Sequence, residues 1–178
     1  MLLLAAETSA VRSIAEGVRR GVATAEAAVL VRDLCNHPSN VMTPARIASE
    51  AKAIAKEQSL TLKILEQKEM EKLGMNTLLA VSRGSEETPK LIILRIKDQE
   101  KRPAQSPLYA MVGKGVTFDS GGLSIKGASY MTEMKSDMSG GATVLGLAYK
   151  PATPVVEESQ GMMIAAALAE SGVAVTVH

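Results

Sequence analysis

Residues 112–122 read "VGKGVTFDSGG" and decide how the fold and the chemistry of this chain are interpreted. They place Lys114 and Asp119 five positions apart among four glycines. A glycine-rich loop that carries a lysine is typical of a phosphate-binding site. A lysine held close to an aspartate is instead typical of an ion pair, or of a binding site that uses both a cationic and an anionic side chain. The surrounding sequence has to distinguish these interpretations.

The two common phosphate-binding motifs do not match this segment. A P-loop needs Gly-Lys-Ser/Thr at the start of a helix, but Lys114 is followed by Gly115 and by a "VTF" run that does not begin one. The dinucleotide pattern G-x-G-x-x-G would need a third glycine where Phe118 stands. Simple anion binding by the loop therefore stays only as a minor alternative.

Further charged residues follow the glycine-rich segment. Lys126 comes seven residues after Asp119, and Asp137 stands just before a "GGATVLG" stretch that predicts the start of a helix. Two carboxylates and a lysine can bind a divalent cation, and a second lysine can polarise a carbonyl group. From spacing alone, however, a loop stabilised by a Lys–Asp ion pair remains the simpler interpretation.

Composition limits the classes of protein that the chain can belong to. It has 178 residues, of which 46% are hydrophobic, enough for one domain with a core. A net charge of +1 gives no reason to expect nucleic acid or an anionic membrane as a partner. The lone Cys35 is interpreted as a buried helical thiol in a reducing compartment, and the apolar start "MLLLAA" is too short for a signal peptide or a membrane span. These features predict a cytoplasmic location.

Apolar spacing predicts a long first helix over about residues 9–34. Its apolar positions, interpreted as core or interface, are Val11, Ile14, Val18, Val22, Ala25 and Val29. Thr43 and Pro44 predict the start of a second helix, as a capping hydroxyl followed by proline. A short helix over 66–74 should end at Gly74.

Alternating or apolar runs predict strands at residues 60–65, 76–84, 90–97, 107–113 and 173–178, with helices at 140–150 and 161–172. The two prolines of 151–160 should interrupt the chain and leave a protease-sensitive loop. This alternation predicts the α/β class, with a mixed central sheet flanked by helices.

Three stretches together closely resemble the leucyl aminopeptidase (cytosol aminopeptidase) family. They are "RDLCNHPSNVMTP", "VGKGVTFDSGGLSIK" and "MKSDMSGGATVLG", and the resemblance covers about residues 21–146. It implies a peptidase that removes N-terminal residues from peptide substrates. It also implies two divalent metals, manganese or zinc, in each complete site, and assembly as a homo-oligomer.

The resemblance assigns roles to individual residues. Lys114, Asp119 and Asp137 match metal ligands, with Asp119 bridging both metals. Lys126 matches the catalytic lysine that polarises the scissile carbonyl and binds substrate, and Met134 matches a residue lining the substrate pocket. A lysine ligand must bind as the neutral amine, and its deprotonation at pH 7 costs about 4–5 kcal/mol, which a nearby cation offsets.

The chain lacks parts of the family's pattern. The family's second signature, "NTDAEGR" or close to it, supplies further acidic ligands and an arginine, and no such stretch is present. We therefore expect a linker helix region at 1–22 and a partial peptidase domain at 23–178, with an insertion at 147–160. The alternative is a non-catalytic α/β remnant or assembly module of the same family.

Other catalytic arrangements find little support. His37 and His178 are the only histidines, and neither belongs to an H-E-x-x-H motif, which excludes a helix-borne zinc peptidase of that type. Ser120 follows Asp119 directly but has no histidine in a recognisable triad order, so we interpret it as a turn residue.

Overall fold

A computed structural model describes residues 8–96 and 109–149. In chain order the elements are α1 (Thr8–Asn36), α2 (Pro44–Glu57), β1 (Thr61–Glu66), α3 (Gln67–Lys72), α4 (Asn76–Ser82), β2 (Lys90–Arg95), α5 (Ala128–Met131), a 3₁₀ helix (Thr132–Ser136) and α6 (Ser139–Tyr149). Helices together with a sheet confirm the predicted α/β class.

The described sheet consists of β1 and β2, which run antiparallel. Thr61 pairs with Arg95 at one end and Glu66 with Lys90 at the other. At that second end, Lys90 Nζ lies 2.6 Å from a Glu66 carboxylate oxygen. An ion pair therefore joins the last paired residues of the two strands.

The core lies where α1, α2 and α6 meet and where the sheet packs against α2. Its buried side chains are Leu34, Met42, Ile47, Ala51, Ile54, Met138, Ala142 and Leu145. Leu62, Ile92 and Leu94 of the sheet pack against this group. All these side chains are aliphatic or methionine, as the near-absence of aromatic residues requires.

Local signals for helix ends were predicted correctly. Thr43 caps α2, since its hydroxyl oxygen accepts a hydrogen bond from the Arg46 backbone N–H at 3.2 Å, and Pro44 opens the helix. Gly74, which follows α3, has φ +69°, a left-handed conformation that glycine adopts without steric penalty. Both devices act within a few residues, so the sequence alone specifies them.

The strand predicted at 76–84 is wrong, because residues 76–82 form α4. A run of four or five apolar residues fits a buried strand or a short helix equally well. Here the leucines and alanine favour a helix, and Leu78 and Leu79 are half-buried while Val81 is 67% exposed.

The strand predicted at 107–113 does not form in its described part. Residues 109–113 have no regular structure, and Tyr109 and Val112 are 78% and 74% exposed. A strand needs a neighbouring edge to pair with, which a local pattern does not supply. The elements predicted at 151–160, 161–172 and 173–178 lie outside the described residues.

Helix α1 is continuous across the boundary expected between residues 22 and 23. Ala23 and Leu34 are buried, and Val31 meets α6 at Gly146. The predicted apolar stripe lies on the opposite side of the helix, with Val22 48% exposed. Of the two interpretations, core or interface, the first is wrong for the described residues, and the second stays a prediction.

Within 8–96 and 109–149, no helix has both the length and the apolar character needed to cross a bilayer. Residues 147–149, the first three of the expected insertion, belong to α6.

Candidate metal centre

The segment that carries Lys114 lies directly on the first turn of α6. The Lys114 carbonyl oxygen accepts a hydrogen bond from the Gly141 backbone N–H at 2.7 Å. A Cβ added to Gly113 would collide with the Gly140 carbonyl oxygen, so only glycine allows this approach. The glycines on both sides of the contact therefore determine where Lys114 sits.

A second set of glycines orients Asp119. Asp119 Oδ1 accepts a hydrogen bond from the Gly121 backbone N–H at 2.9 Å. Gly121 and Gly122 both have positive φ, +95° and +72°, which reverses the chain. After the reversal, the Lys126 backbone N–H donates to the Ser120 carbonyl oxygen at 2.9 Å, so Lys126 returns beside Asp119.

Asp137 lies between the 3₁₀ helix and α6, next to the segment that carries Lys114. The Lys114 Nζ atom lies 2.7 Å from Asp137 Oδ2 and 3.8 Å from Asp119 Oδ2. The Lys–Asp ion pair considered from the sequence is therefore present between Lys114 and Asp119, but the closer partner of Lys114 is Asp137. The strand predicted at 107–113, directly before Lys114, does not form in its described part, and the contact with α6 positions Lys114 instead.

The second lysine of the site pairs with Asp119. Lys126 Nζ lies 2.7 Å from Asp119 Oδ2 and donates a hydrogen bond to the Asp119 carbonyl oxygen at 2.9 Å. Sequence reasoning missed this pairing, because residues seven apart in an irregular loop have no fixed separation. The result is a continuous chain of charges, Lys126–Asp119–Lys114–Asp137.

These contacts shift the pKa values of Lys114 and Asp119. The Asp137 carboxylate raises the pKa of Lys114 above its usual value, with a smaller contribution from Asp119. The Lys126 ammonium lowers the pKa of Asp119, and the Gly121 N–H lowers it further. Lys114 is thus an ammonium and Asp119 a carboxylate at neutral pH.

The donor set fits part of a coordination shell for a divalent cation. Asp137 Oδ2 is buried and, despite the nearby Lys114 ammonium, has no well-formed hydrogen bond within the described structure. It faces the same point as an amine nitrogen and a second carboxylate, which are suitable metal donors. In ranges 8–96 and 109–149, no group of three or more His, Cys, Asp or Glu side chains is placed to hold a metal.

The remaining candidates occupy varied positions. Met134 is half-buried on the 3₁₀ helix, and its carbonyl oxygen accepts a hydrogen bond from the Asp137 backbone N–H at 3.2 Å. Ser120 is exposed in the turn, as interpreted, and His37 is exposed after α1. Cys35 is helical as predicted but only partly buried, and that burial raises the pKa of its thiol.

Apolar side chains near the charged residues project into open space. Leu123 and Ile125, which lie in the loop between Asp119 and Lys126, are 110% and 72% exposed, and Tyr130 of α5 is 66% exposed. Composition alone did not indicate this feature, because the sequence pattern around glycines carries no periodicity that reports burial.

Comparison with curated proteins gives a consistent set of relatives. A protein from Nitrosococcus oceani named "Probable cytosol aminopeptidase" is 54% identical over 132 residues, which cover 74% of this chain and 26% of that protein. A protein of the same name from Alkaliphilus metalliredigens is 43% identical over 159 residues, which cover 86% of this chain and 31% of that protein. The chain thus spans about a quarter to a third of the length of these relatives.

Solved structures give the same picture. The chain is similar to the bottromycin maturation enzyme BotP in complex with Mn, with a TM-score of 0.64 and 37% identity over 75% of this chain and 28% of that one. It is also similar to a cytosol aminopeptidase from Coxiella burnetii, with a TM-score of 0.61 and 42% identity over 67% of this chain and 25% of that one.

The family model "Cytosol aminopeptidase family, catalytic domain" matches residues 29–173, which include all the charged residues of the candidate site. The match covers most of the chain, and the relatives agree with it. The chain therefore belongs to the cytosol aminopeptidase family.

Proposed function

We propose that this chain is part of a metal-dependent aminopeptidase that releases N-terminal amino acids from peptides. The observation that carries the proposal is the convergence of two lysines and two aspartates at the start of α6, within the region that matches the family's catalytic domain. An ion-paired loop needs one lysine and one carboxylate, whereas this arrangement brings four charged groups and a buried carboxylate oxygen to one place.

Lys114, Asp119 and Asp137 would hold the metal. When bound, divalent cations, manganese or zinc and two in a complete site, would supply an activated water as nucleophile. Asp119 is suited to a bridging position because its Oδ2 already faces both Lys114 and Lys126. Lys114 would bind as the neutral amine, so its proton has to leave before metal is held.

Lys126 would act on the substrate as a catalytic residue. Its ammonium contacts the same Asp119 carboxylate oxygen as Lys114, so it lies beside the proposed metal ligands, where it would polarise a peptide carbonyl. Met134 would contribute to the pocket for the first side chain of the peptide, since it lies one turn before Asp137 on the 3₁₀ helix.

The domain organisation that accompanies this proposal has three parts. Residues 1–22 are a linker helix region, residues 23–178 are part of the peptidase domain, and residues 147–160 are an insertion. The 178 residues alone hold only part of the ligand set, so we propose that they have little activity by themselves. The second candidate, a non-catalytic remnant or assembly module, is favoured by the ion pairs that hold Lys114 and Lys126.

The same family resemblance supports a peptide-binding homo-oligomer located in the cytoplasm. The net charge of +1 supports a protein that binds neither nucleic acid nor membranes.

Two measurements, made on the same sample of each protein, test the proposed function. Metal content is measured by mass spectrometry, and hydrolysis of leucine amide is followed with manganese or zinc, both for this chain and for a chain extended with the family's remaining catalytic-domain sequence. We expect bound metal and turnover in the extended chain, with both lost in Asp137→Asn. An extended, folded chain that hydrolyses no N-terminal residue would favour the non-catalytic alternative.

A further inference from the structure

Gly121 contacts both members of the ion pair that Asp119 forms with Lys126. Its backbone N–H donates a hydrogen bond to Asp119 Oδ1 at 2.9 Å. A Cβ added to Gly121 would lie 3.2 Å from Lys126 Cγ, closer than the roughly 3.5–4.0 Å at which carbon atoms normally pack. This glycine therefore binds the aspartate through its backbone and leaves room for the lysine because it has no side chain.

The Gly121 N–H decides which carboxylate oxygen of Asp119 faces the lysines. With Oδ1 bound to this N–H, Oδ2 lies 2.7 Å from Lys126 Nζ and 3.8 Å from Lys114 Nζ. The last side-chain torsion of an aspartate has a broad preference, so the carboxylate plane is not fixed by its own rotamer. The hydrogen bond from Gly121 supplies that constraint.

The Lys126 side chain depends on the space above Gly121. The Lys126 backbone N–H donates to the Ser120 carbonyl oxygen, and Lys126 Nζ donates to the Asp119 carbonyl oxygen, each at 2.9 Å. These two contacts draw the start and the end of the lysine side chain towards the 119–121 backbone. A side chain at position 121 would push the lysine methylene groups away from this path.

Two further constraints act on the backbone of Gly121. Its φ is +95°, a left-handed conformation that glycine adopts without steric penalty. A Cβ at this position would also overlap with the Ser124 carbonyl oxygen, which belongs to the backbone and cannot rotate away as a flexible side chain would. Conformation and contact therefore both require glycine here.

Gly122 shares only the first of these constraints. Its φ is +72°, also left-handed, but nothing lies within 4 Å of its Cβ position. Both glycines are exposed. The two neighbours thus separate the conformation that reverses the chain from the contact with Lys126, which only Gly121 makes.

We propose that Gly121 is a positioning residue of the peptidase site, holding the Asp119 carboxylate and the Lys126 ammonium in one fixed arrangement. This inference rests on the proposed function, in which Asp119 holds metal and Lys126 polarises the scissile carbonyl. Gly121 would act through these two residues and not on the substrate itself. A displacement of about 1 Å in such an arrangement can slow a reaction about 100-fold.

NMR of the 178-residue chain labelled with ¹⁵N and ¹³C tests this arrangement without requiring activity. We expect a scalar coupling through the hydrogen bond between the Lys126 ammonium nitrogen and the Asp119 carboxyl carbon, with the lysine signal assigned by its loss in Lys126→Arg. Gly121→Ala should lose the coupling, because the added Cβ displaces the lysine side chain, and Gly122→Ala should keep it. A wild type without the coupling, or a folded Gly121→Ala that keeps it, would overturn the proposal.

Asparagine variants separate the contact from backbone strain. Asparagine adopts the left-handed conformation more readily than alanine does, so we expect Gly121→Asn and Gly122→Asn to keep the wild-type helix content by circular dichroism. Gly121→Asn still adds a Cβ and should lose the coupling, whereas Gly122→Asn should keep it. Retention of the coupling in Gly121→Asn, or its loss in both variants, would show that the contact with Lys126 has no special role.

Turnover distinguishes a failure of this proposal from a failure of the proposed function. In the chain extended with the family's remaining catalytic-domain sequence, we expect Gly121→Asn to lower kcat for leucine amide about 10–100-fold, with a smaller change in KM. Gly122→Asn should lower kcat much less. A folded extended wild type without turnover would overturn the proposed function, whereas equal kcat in an active wild type and in Gly121→Asn would overturn the positioning role alone.

Discussion

Lys126 Nζ lies 2.7 Å from Asp119 Oδ2 and 2.9 Å from the carbonyl oxygen of the same residue. One ammonium thus holds both the side chain and the backbone of Asp119. Lys114 faces the same carboxylate from 3.8 Å, so the ammonium groups of two lysines contact Asp119. Ion pairs with the two lysines therefore set the position of the Asp119 side chain. The proposed metal would have to share this carboxylate with them.

Replacement of Lys126 by alanine should separate catalysis from metal binding. In a complete, active form of the protein, we expect Lys126→Ala to lower kcat about 10²–10³-fold with little change in metal content, because the lysine is proposed to act on the substrate carbonyl. Turnover and metal content by mass spectrometry are measured on the same sample. Lys135→Ala is the control, since Lys135 Nζ instead contacts the Asn36 carbonyl oxygen. Parallel loss of metal and rate would show that Lys126 supports the metal ligands.

Loss of the Asp119 carboxylate should destabilise the fold as well as the site. Asp119→Ala leaves Lys126 without its carboxylate partner and the Gly121 N–H without its acceptor. The side chain is 37% exposed, so we expect only a small fall in the free energy of unfolding, measured as a lower midpoint in urea denaturation. Asp119→Asn keeps an acceptor for Gly121 and should lose less. Equal stability of all three proteins would argue against the ion-pair network.

The contact between Gly113 and α6 can be tested by adding a single methyl group. Gly113→Ala should lower the free energy of unfolding by about 1–3 kcal/mol, because the added Cβ meets the Gly140 backbone, which has little room to move. Gly115→Ala is the matched control, as nothing lies within 4 Å of its Cβ position. The prediction fails if urea midpoints of the two variants coincide.

Metal binding by the 178-residue chain should be weak at neutral pH and should strengthen as pH rises. A cation has to displace the Lys114 proton, at a cost of about 4–5 kcal/mol for an ordinary lysine at pH 7. The Asp137 carboxylate raises the pKa of Lys114, so this competition extends to higher pH. Calorimetric titration with zinc and manganese at two pH values measures both affinity and proton release. Tight binding of two metals at pH 7 would show that other residues complete the site.

Glu16 should titrate far below an ordinary glutamate. Hydrogen bonds from Arg19 and Arg20 lower its pKa from 4.5 to about 2. Because the folded-state pKa is depressed, the stabilisation is present above about pH 4.5 and is lost as pH falls towards 2. NMR titration of the Glu16 carboxyl carbon measures this directly, and Glu16→Gln should remove that part of the acid sensitivity. A midpoint near 4.5 would show that the arginines do not hold the carboxylate in solution.

The sequence by itself determined the features that depend on a few adjacent residues. Thr43 and Pro44 specify the start of α2, Gly74 the end of α3, and Gly121 and Gly122 the reversal after Asp119. Each acts through one turn of backbone, where steric limits and a single hydrogen bond decide the outcome. The motif around Lys114 likewise identified the family, because its residues are close in sequence.

Where the local sequence was compatible with more than one structure, only the tertiary structure decided between them. It made residues 76–82 a helix, it turned the stripe of α1 away from α6, and it joined Lys126 to Asp119. A short apolar run fits helix or strand, and a helix with two apolar faces can bury either. The choice depends on which surfaces are available to pack, and that is a property of residues distant in the chain rather than of the local sequence.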